Sequence, residues 1–353
     1  MRIFNTIVFA TVFSIAAIFT SCKKDNEKKP YSDVIDNLTD NIIVPTYRDL
    51  DSEAADLLTA IDQFIANQNE TNLEAMRAAW RDVRKPWEQS EGFLFGPVSD
   101  KEIDPKIDSW PLNATDLDEI LAGEATLNKT YIDGLDETLK GFHTIEYLLW
   151  SEDGEKTAAE FTARELAYLK ACTESLKGQT NLLYTSWISS GDNFAGQLKN
   201  PGSRYPNEVS VLAELADGIG GIAGEVGDTK IKEPYTYESA TLEESSFSSN
   251  SKADFADNIR SIEHIYMGTY LGVGGNGKGL SSIVAAKDPA LDTKIKQQIA
   301  AAIESIESIE GTFSEAIQSG NNKGRASVEE AYNKVVALRI NLKGDLVDLI
   351  SKL

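Results

Sequence analysis

The sequence predicts an all-α protein in which two helical bundles are joined in one chain. Three observations lead to this fold class. Apolar residues recur at intervals of three and four over several long segments, and no segment shows a comparable alternation of apolar and polar residues. Irregular stretches rich in glycine, proline and serine separate the helical segments.

The N-terminus is predicted to be a leader and a tether outside the fold. Arg2 precedes an apolar run at 7–19, as in a secretory signal peptide. As a helix this run would extend about 20 Å, too short for a hydrocarbon core of about 30 Å. Phe19-Thr20-Ser21-Cys22 resembles the lipobox of bacterial lipoproteins, which implies that residues 1–22 form the signal peptide and that Cys22 carries lipid. Residues 23–33 then form a flexible, charged tether.

The chain is strongly acidic, with 34 lysine and arginine residues against 56 aspartate and glutamate residues and a formal net charge of −22. Removal of residues 1–22 takes away Arg2 and no acidic residue, which leaves −23. Such a surface disfavours nucleic acid and anionic headgroups and suits cations better. Cys172 lies in a helical pattern and is expected to be a small core residue without a disulfide partner.

Long amphipathic helices are expected in both halves, with a further helix at 159–188. Their apolar stripes are Leu50, Ala54, Leu57, Ile61 and Phe64; Leu73, Met76, Trp80, Val83 and Trp87; Leu291, Ile295, Ile299, Ile303, Ile306, Ile309 and Phe313; and Val328, Tyr332, Val335, Leu338, Leu342, Leu346 and Leu349. Irregular stretches are expected at 93–111, 191–206 and 226–250, and loops of this length are usually functional or lie at a domain junction.

A turn-like run at 151–157 divides the chain into a first bundle, 34–155, and a second bundle, 156–353. Ile145-Glu146-Tyr147 echoes Ile262-Glu263-His264, so an internal duplication is one interpretation of the two halves. In that alignment Arg260 takes the place of His143, and the second copy would lack the metal-binding side chain.

The segment Gly141-Phe142-His143-Thr144-Ile145-Glu146 carries the strongest chemical pattern. In a helix His143 and Glu146 project from one face, because they are three residues apart. An imidazole and a carboxylate at this spacing can share one metal ion. The alternative is a hydrogen-bonded or ion-paired couple without a metal.

This segment matches the GxHxxE motif of the imelysin family, and the resemblance covers nearly all of residues 34–350. The other matching segments are Trp80-Arg81-Asp82-Val83-Arg84 with Trp87-Glu88, Phe95-Gly96-Pro97, Ile107-Asp108-Ser109-Trp110-Pro111, 203–217 and the serine-rich stretch before Asp254. The resemblance implies two helical bundles in one chain and a lipoprotein of a Gram-negative bacterium.

The resemblance also implies a divalent metal or iron site built on His143 and Glu146, with acidic ligands from upstream segments. The matching positions are Glu88 and Asp108, and Glu91 is the alternative to Glu88. Each carboxylate also has a structural interpretation. Asp108 could cap the helix after Pro111, and Glu88 could pair with Arg84, which is expected to neutralise this acidic neighbourhood.

Other motifs do not suggest further sites. The glycine-rich run 272–279 lacks the strand, helix and Ser or Thr of a phosphate loop and is expected to be a hinge. His264, the only other histidine, is expected to be packed or capped. No GxSxG element is present, and Cys172 in an apolar stripe is a poor nucleophile.

The family is commonly catalogued with metallopeptidases, but the motif lacks the second histidine and the adjacent glutamate of HExxH. One imidazole with several carboxylates suits iron, manganese or calcium better than catalytic zinc. We therefore expect a non-catalytic metal-binding lipoprotein of the outer membrane, linked to iron uptake and to uptake-system proteins. The alternatives are a metallopeptidase with Glu146 or another carboxylate as base, and a surface protein that holds a peptide or glycan between its bundles.

Overall fold

The computed structural model describes residues 29–270 and 277–353. Across these ranges the chain forms α-, 3₁₀- and π-helices and no strand, which confirms the all-α prediction. Tyr31–Leu353 form a compact unit. The predicted signal peptide, Cys22, most of the tether and most of the glycine-rich run lie outside the described residues. No helix in the described part of the chain has the length and apolarity needed to span a membrane.

The first part of the chain contains nine α-helices among its described residues, interrupted by short turns of other helix types. They are α1 Ser32–Leu38, α2 Val44–Ala66, α3 Glu70–Glu88, α4 Pro97–Asp100, α5 Asp104–Ile107, α6 Ala114–Ala122, α7 Lys129–Asp133, α8 Phe142–Trp150 and α9 Ala163–Trp187. The π-helix Thr39–Ile43 joins α1 to α2, and 3₁₀ turns lie at Glu91–Phe93, Glu137–Leu139 and Ala158–Glu160.

The second part repeats this mixture of long helices and short connecting turns. Its described helices are α10 Phe194–Lys199, α11 Glu208–Glu225, α12 Lys232–Tyr237, α13 Ser251–Met267, α14 Leu280–Lys287, α15 Pro289–Glu307, α16 Phe313–Ala316, α17 Asn322–Asn341 and α18 Val347–Ile350. The π-helices Val226–Ile231 and Leu342–Leu346 join α11 to α12 and α17 to α18, and a 3₁₀ turn lies at Ala240–Leu242.

Most of the long helices begin at residues that satisfy their free backbone N–H groups, although α2 and α13 have no side-chain cap. The Asn69 side chain accepts a hydrogen bond from the third residue of α3, and the Asp288 side chain accepts two at the start of α15. Thr162 and Glu165 form a reciprocal capping box at the start of α9. These signals are local in the sequence, so they favour helix starts at these positions independently of tertiary packing.

Two groups of helices meet around a shared core. In the first group, α2 packs against α3 and α9. In the second group, α11, α13, α15 and α17 pack on one another. Between the groups, α3 contacts α13, and the turn Glu91–Phe93 contacts both α11 and α13. A Cβ atom at Gly218 of α11 would lie 2.4 Å from the Gly92 carbonyl oxygen, so glycine is required at this approach of turn and helix.

The predicted stripes are largely buried. The side chains of the stripe from Leu50 to Phe64 are fully buried. Cys172 is also fully buried, and its thiol forms no disulfide among the described residues. The sequence prediction for 226–250 was incomplete, because 226–237 continues α11 as a π-turn and α12. The additional residue of a π-turn interrupts the spacing of three and four, so periodicity does not reveal this continuation.

Helix α9 lies after the predicted division at 155/156 but packs against α2. The ring of Trp187 at its end lies 5.5 Å from that of Tyr47. The position of the boundary between the bundles and the internal duplication stay predictions.

We predict that the packing of α9 can be measured with two adjacent leucines. Leu183 is fully buried, whereas Leu182 is 39% exposed. Leu183→Ala should lower the free energy of unfolding by about 2–5 kcal/mol because it leaves a cavity, and Leu182→Ala by less than about 1 kcal/mol. Urea denaturation followed by circular dichroism measures both values, and equal costs would contradict this packing.

Candidate metal centre

The motif helix α8 starts where two backbone segments come very close together. Gly141 precedes α8 with φ of 83°, and a Cβ atom there would lie 2.3 Å from the Ile107 carbonyl oxygen. Glycine is therefore required both by its conformation and by the available space. This contact brings the first turn of α8, with His143, beside Asp108.

His143 is held between carboxylates and is only 3% exposed. Its Nδ1 lies 3.2 Å from Glu146 Oε2, and its Nε2 lies 3.1 Å from Asp108 Oδ1 and 4.0 Å from Glu244 Oε1. Nε2 makes no well-aligned hydrogen bond within the described part of the chain. Burial lowers the pKa of His143, but Asp108 and Glu146 outweigh this effect and raise it to about 9.

Glu146 faces His143 on one side and a loop on the other. Its Oε1 accepts hydrogen bonds from the backbone N–H of Ser248 at 2.8 Å and from the Ser248 hydroxyl at 2.7 Å. With Oε2 directed at His143 Nδ1, this carboxylate fixes the orientation of the imidazole and leaves Nε2 pointing towards Asp108 and Glu244.

Asp108 occupies the centre of the cluster. Its Oδ2 accepts a hydrogen bond of 2.6 Å from Trp87 Nε1, and its Oδ1 forms an ion pair with Arg84. Burial raises the pKa of Asp108, but Arg84 and His143 together hold it well below its ordinary value. The capping interpretation of Asp108 is wrong, because the Asn113 side chain caps α6.

Two buried cations neutralise part of the cluster. Arg84 on α3 forms ion pairs with Glu88 and Asp108, and also with Glu244 at 2.9 Å and Asp254 at 3.5 Å. The predicted ion pair of Glu88 with Arg84 is therefore present, and a metal-binding role of Glu88 stays a prediction.

Lys230 is the second cation, and it lies on the π-helix Val226–Ile231. Its Nζ lies 2.9 Å from Glu244, 3.4 Å from Glu91 and 3.6 Å from Glu88. Together these contacts place the ammonium group among three carboxylates.

The carboxylates outnumber these cations. The buried cations are Arg84 and Lys230. The buried carboxylates are those of Glu88, Glu91, Asp108, Glu146, Glu244 and Asp254. Burial raises the pKa of Glu88 and of Glu91 well above the ordinary value, and it raises that of Asp254 to about 6. The cluster therefore favours uptake of protons or of a further cation.

The structure brings the predicted residues together in two overlapping groups. One contains Asp108, His143 and Glu244, the other Glu88, Glu91, Asp108 and Glu244, and within each group the ligand atoms lie within 4.8 Å of one another. Glu146 belongs to neither group. A single imidazole nitrogen with carboxylate oxygens is a hard ligand set that suits iron or manganese.

Three residues of the cluster were missed by sequence reasoning, namely Lys230, Glu244 and Asp254. All three come from the second half of the chain, and none forms a motif with its neighbours. Their only signal is that Glu244 and Asp254 flank the serine-rich stretch. His264 lies outside the cluster, buried and edge-on to Tyr270 at 5.1 Å, as its packed interpretation predicted.

Two cavities adjoin the cluster and share Trp110 in their walls. One, of about 420 Å³, is lined by His143 and Glu146 together with aromatic residues. The other, of about 220 Å³, is lined by carboxylates including Asp108 and Glu91. The centre is thus buried but borders two spaces that a ligand could enter.

Comparison with known proteins relates the whole fold to one family. The imelysin (peptidase M75) family model matches residues 43–342. The chain is 26% identical over 339 residues to iron-regulated protein A of Synechococcus elongatus, and the alignment covers 95% of this chain and 91% of that relative.

Two solved structures resemble this one. A protein from Parabacteroides distasonis described as an iron-regulated protein A precursor has a TM-score of 0.79 and 28% identity, with 92% of this chain and 97% of that chain covered. An imelysin-like protein from Psychrobacter arcticum has a TM-score of 0.73 and 12% identity, with 92% and 96% covered. At 12% identity the second similarity concerns the fold alone.

We predict that His143 makes the stability of the metal-free protein, kept metal-free with a chelator, depend on pH. Because its folded pKa of about 9 exceeds the ordinary 6.5, protonated His143 stabilises the folded state fully below pH 6.5 and loses this effect as pH rises through 9. The difference in unfolding free energy between wild type and His143→Gln should fall over this range by on the order of 3 kcal/mol.

His264→Gln is the matched control for this titration. Burial lowers the pKa of His264 to about 4, so this side chain is neutral in the folded state, and only the unfolded state takes up a proton as pH falls towards 6.5. Its difference from wild type should change by less than about 0.5 kcal/mol between pH 6.5 and 9. An equally small change for His143→Gln would contradict the raised pKa.

Proposed function

The chain belongs to the imelysin family, and we propose that it is a membrane-anchored lipoprotein that binds a metal ion, serves iron uptake and has no catalytic activity. The proposal is supported by the relative named iron-regulated protein A, which is similar over 95% of this chain. The anchor would be lipid on Cys22, the location the outer membrane of a Gram-negative cell envelope, and the partners uptake-system proteins.

One observation carries the metal-binding part of the proposal. His143 Nε2 is buried, makes no well-aligned hydrogen bond among the described residues, and faces oxygens of Asp108 and Glu244. A buried nitrogen without a well-aligned hydrogen bond is costly unless a ligand completes its surroundings. His143, Asp108 and Glu244 would hold the ion, with Glu88 and Glu91 adjoining it, and Glu146 would orient His143. The ion would supply the positive charge that the carboxylates need.

The arrangement of Glu146 favours binding over peptidase activity. A hydrolytic base must be able to accept a proton from a water molecule on the metal. Oε1 of Glu146 already accepts two hydrogen bonds from Ser248, and Oε2 faces His143 Nδ1. This carboxylate is therefore suited to positioning the imidazole.

We predict that metal raises the melting temperature of the wild-type protein, with iron(II), manganese, zinc and calcium tested in parallel at pH 8. A free metal concentration one hundred times the dissociation constant adds about 2.7 kcal/mol to the free energy of unfolding. His143→Ala and Glu244→Gln should abolish most of the shift because each removes a ligand. Glu146→Gln should weaken affinity about ten- to hundredfold because it releases Nδ1. Affinity should fall as the pH is lowered, because protons then compete with the metal for His143.

His264→Ala is the control, since it removes the other histidine and should keep the full metal-induced shift. The metal-binding proposal fails if no metal raises the wild-type midpoint, or if His143→Ala responds as fully as wild type. In that case the pair of His143 and Glu146 serves only as a structural hydrogen bond.

We predict that Cys22→Ala releases the protein from the membrane. Each buried CH₂ of an attached acyl chain contributes about 0.8 kcal/mol, so several chains hold a protein firmly. Detergent-phase partitioning of wild type and variant measures the effect, with Cys172→Ala as the matched cysteine control. Equal partitioning of Cys22→Ala and wild type would refute the anchor.

A further inference from the structure

The cavity of about 420 Å³ beside the metal centre has a wall chemistry that a metal ion does not need. Its size falls in the range of about 300–1,000 Å³ typical of small-molecule sites. Trp110, Tyr147 and Phe247 line it, and the rings of Tyr147 and Phe247 meet edge to face at 5.2 Å. All three aromatic residues are partly exposed, so their rings are accessible from the cavity.

A buried carboxylate also lines this cavity, and no lysine or arginine neutralises it among the described residues. Glu243 is 4% exposed, and its two oxygens accept hydrogen bonds from Ser251 and Ser314, both at 2.5 Å. Within the ranges that the structure describes, Glu243 forms no ion pair with a lysine or arginine. The two hydroxyl groups orient the carboxylate, and burial raises its pKa to about 7, so above that pH it carries a negative charge that a nearby cation would stabilise.

Glu146 and Glu152 add negative charge to the lining, whereas protonated His143, which pairs with Glu146, offsets part of it. No lysine or arginine lies among the residues that line the cavity. An anionic ligand would meet like charges here, whereas a cation would gain from them.

Ser245 is a second buried polar group of the lining. Its side chain is 1% exposed, and its hydroxyl interacts with Asp254 without forming a well-aligned hydrogen bond among the described residues. A hydroxyl that donates to Asp254 keeps its capacity to accept a hydrogen bond, which an N–H group in the cavity could use.

We propose that this cavity binds an organic cation with an apolar body, as in an alkylammonium or alkylguanidinium group. Glu243 receives the charged head, Ser245 accepts one of its N–H groups, and the faces of Trp110, Tyr147 and Phe247 cover its apolar part. Aromatic faces attract cations through the ring quadrupole, and this attraction adds to that of the carboxylate. Divalent and transition-metal ions prefer nitrogen, oxygen and sulfur ligands to aromatic faces, which distinguishes this site from the neighbouring centre.

The first test compares probes with short alkyl chains by isothermal titration calorimetry on purified wild-type protein at pH 8 with excess chelator. The probes are butylguanidinium, butylammonium, neutral butyramide and anionic butyrate. We expect either cation to bind at least about tenfold more tightly than butyramide, and butyrate to bind most weakly. Equal affinities, or no binding of either cation, would overturn the proposal.

Variants locate the cation within the cavity. Glu243→Gln keeps the size of the side chain and removes its charge, and it should weaken cation binding about tenfold or more. Glu329→Gln on α17 makes the same chemical change at an exposed position and should leave affinity unchanged. Unchanged affinity in Glu243→Gln, or equal losses in both variants, would contradict the assignment.

If Glu243→Gln lowers the stability of the protein, Phe247→Ala provides a test of the aromatic wall instead. Phe247 is only partly buried, so the fold should tolerate this change, and cation affinity should fall severalfold. Wild-type affinity in a folded Phe247→Ala protein would remove the aromatic faces from the site and with them the proposal.

The metal-binding proposal and this one can fail separately. Cation binding should persist in chelator, and cation binding that requires added metal would mean coordination to the ion and would overturn this inference. A lysine- or arginine-containing pentapeptide distinguishes two sources of the same chemistry. If the pentapeptide binds more tightly than butylammonium, the natural ligand is a side chain of a partner protein. If the pentapeptide binds more weakly, the natural ligand is a small molecule.

Discussion

The buried guanidinium of Arg84 is the interaction on which the rest of the structure depends. A charge removed from water costs several kcal/mol unless carboxylates surround it, so the fold must bring them from distant parts of the chain. Glu88 lies one turn along α3, Asp108 follows α5, and Glu244 and Asp254 come from the second half. Arg84 thereby joins the two groups of helices at the point where the candidate centre forms.

The serine-rich loop before α13 connects this charged cluster to the aromatic cavity. Glu244 and Glu243 are adjacent in sequence, yet one faces Arg84 and Lys230 while the other faces the cavity. Ser248 in the same loop holds Glu146, which in turn orients His143. Movement of this loop would therefore alter both sites, and a ligand in one of them would affect the order of the other.

Much of the fold could be predicted because helical periodicity and capping are local properties. The spacing of His143 and Glu146 likewise placed both side chains on one helix face, and the family motif identified Asp108 and Glu88. Lys230 and Glu244 could not be predicted in the same way, because their role arises from tertiary contacts between segments far apart in sequence. A π-turn carries Lys230, and it breaks the periodicity that would have marked the helix.

Cys172 gives the folded body a simple redox chemistry. The side chain is fully buried, and burial raises the pKa of its thiol to about 12. Thiolate is the form that attacks disulfides and is oxidised most readily, so at neutral pH this sulfur is both inaccessible and almost entirely protonated. Thiol oxidants and disulfide exchange catalysts should therefore leave the helical body unchanged.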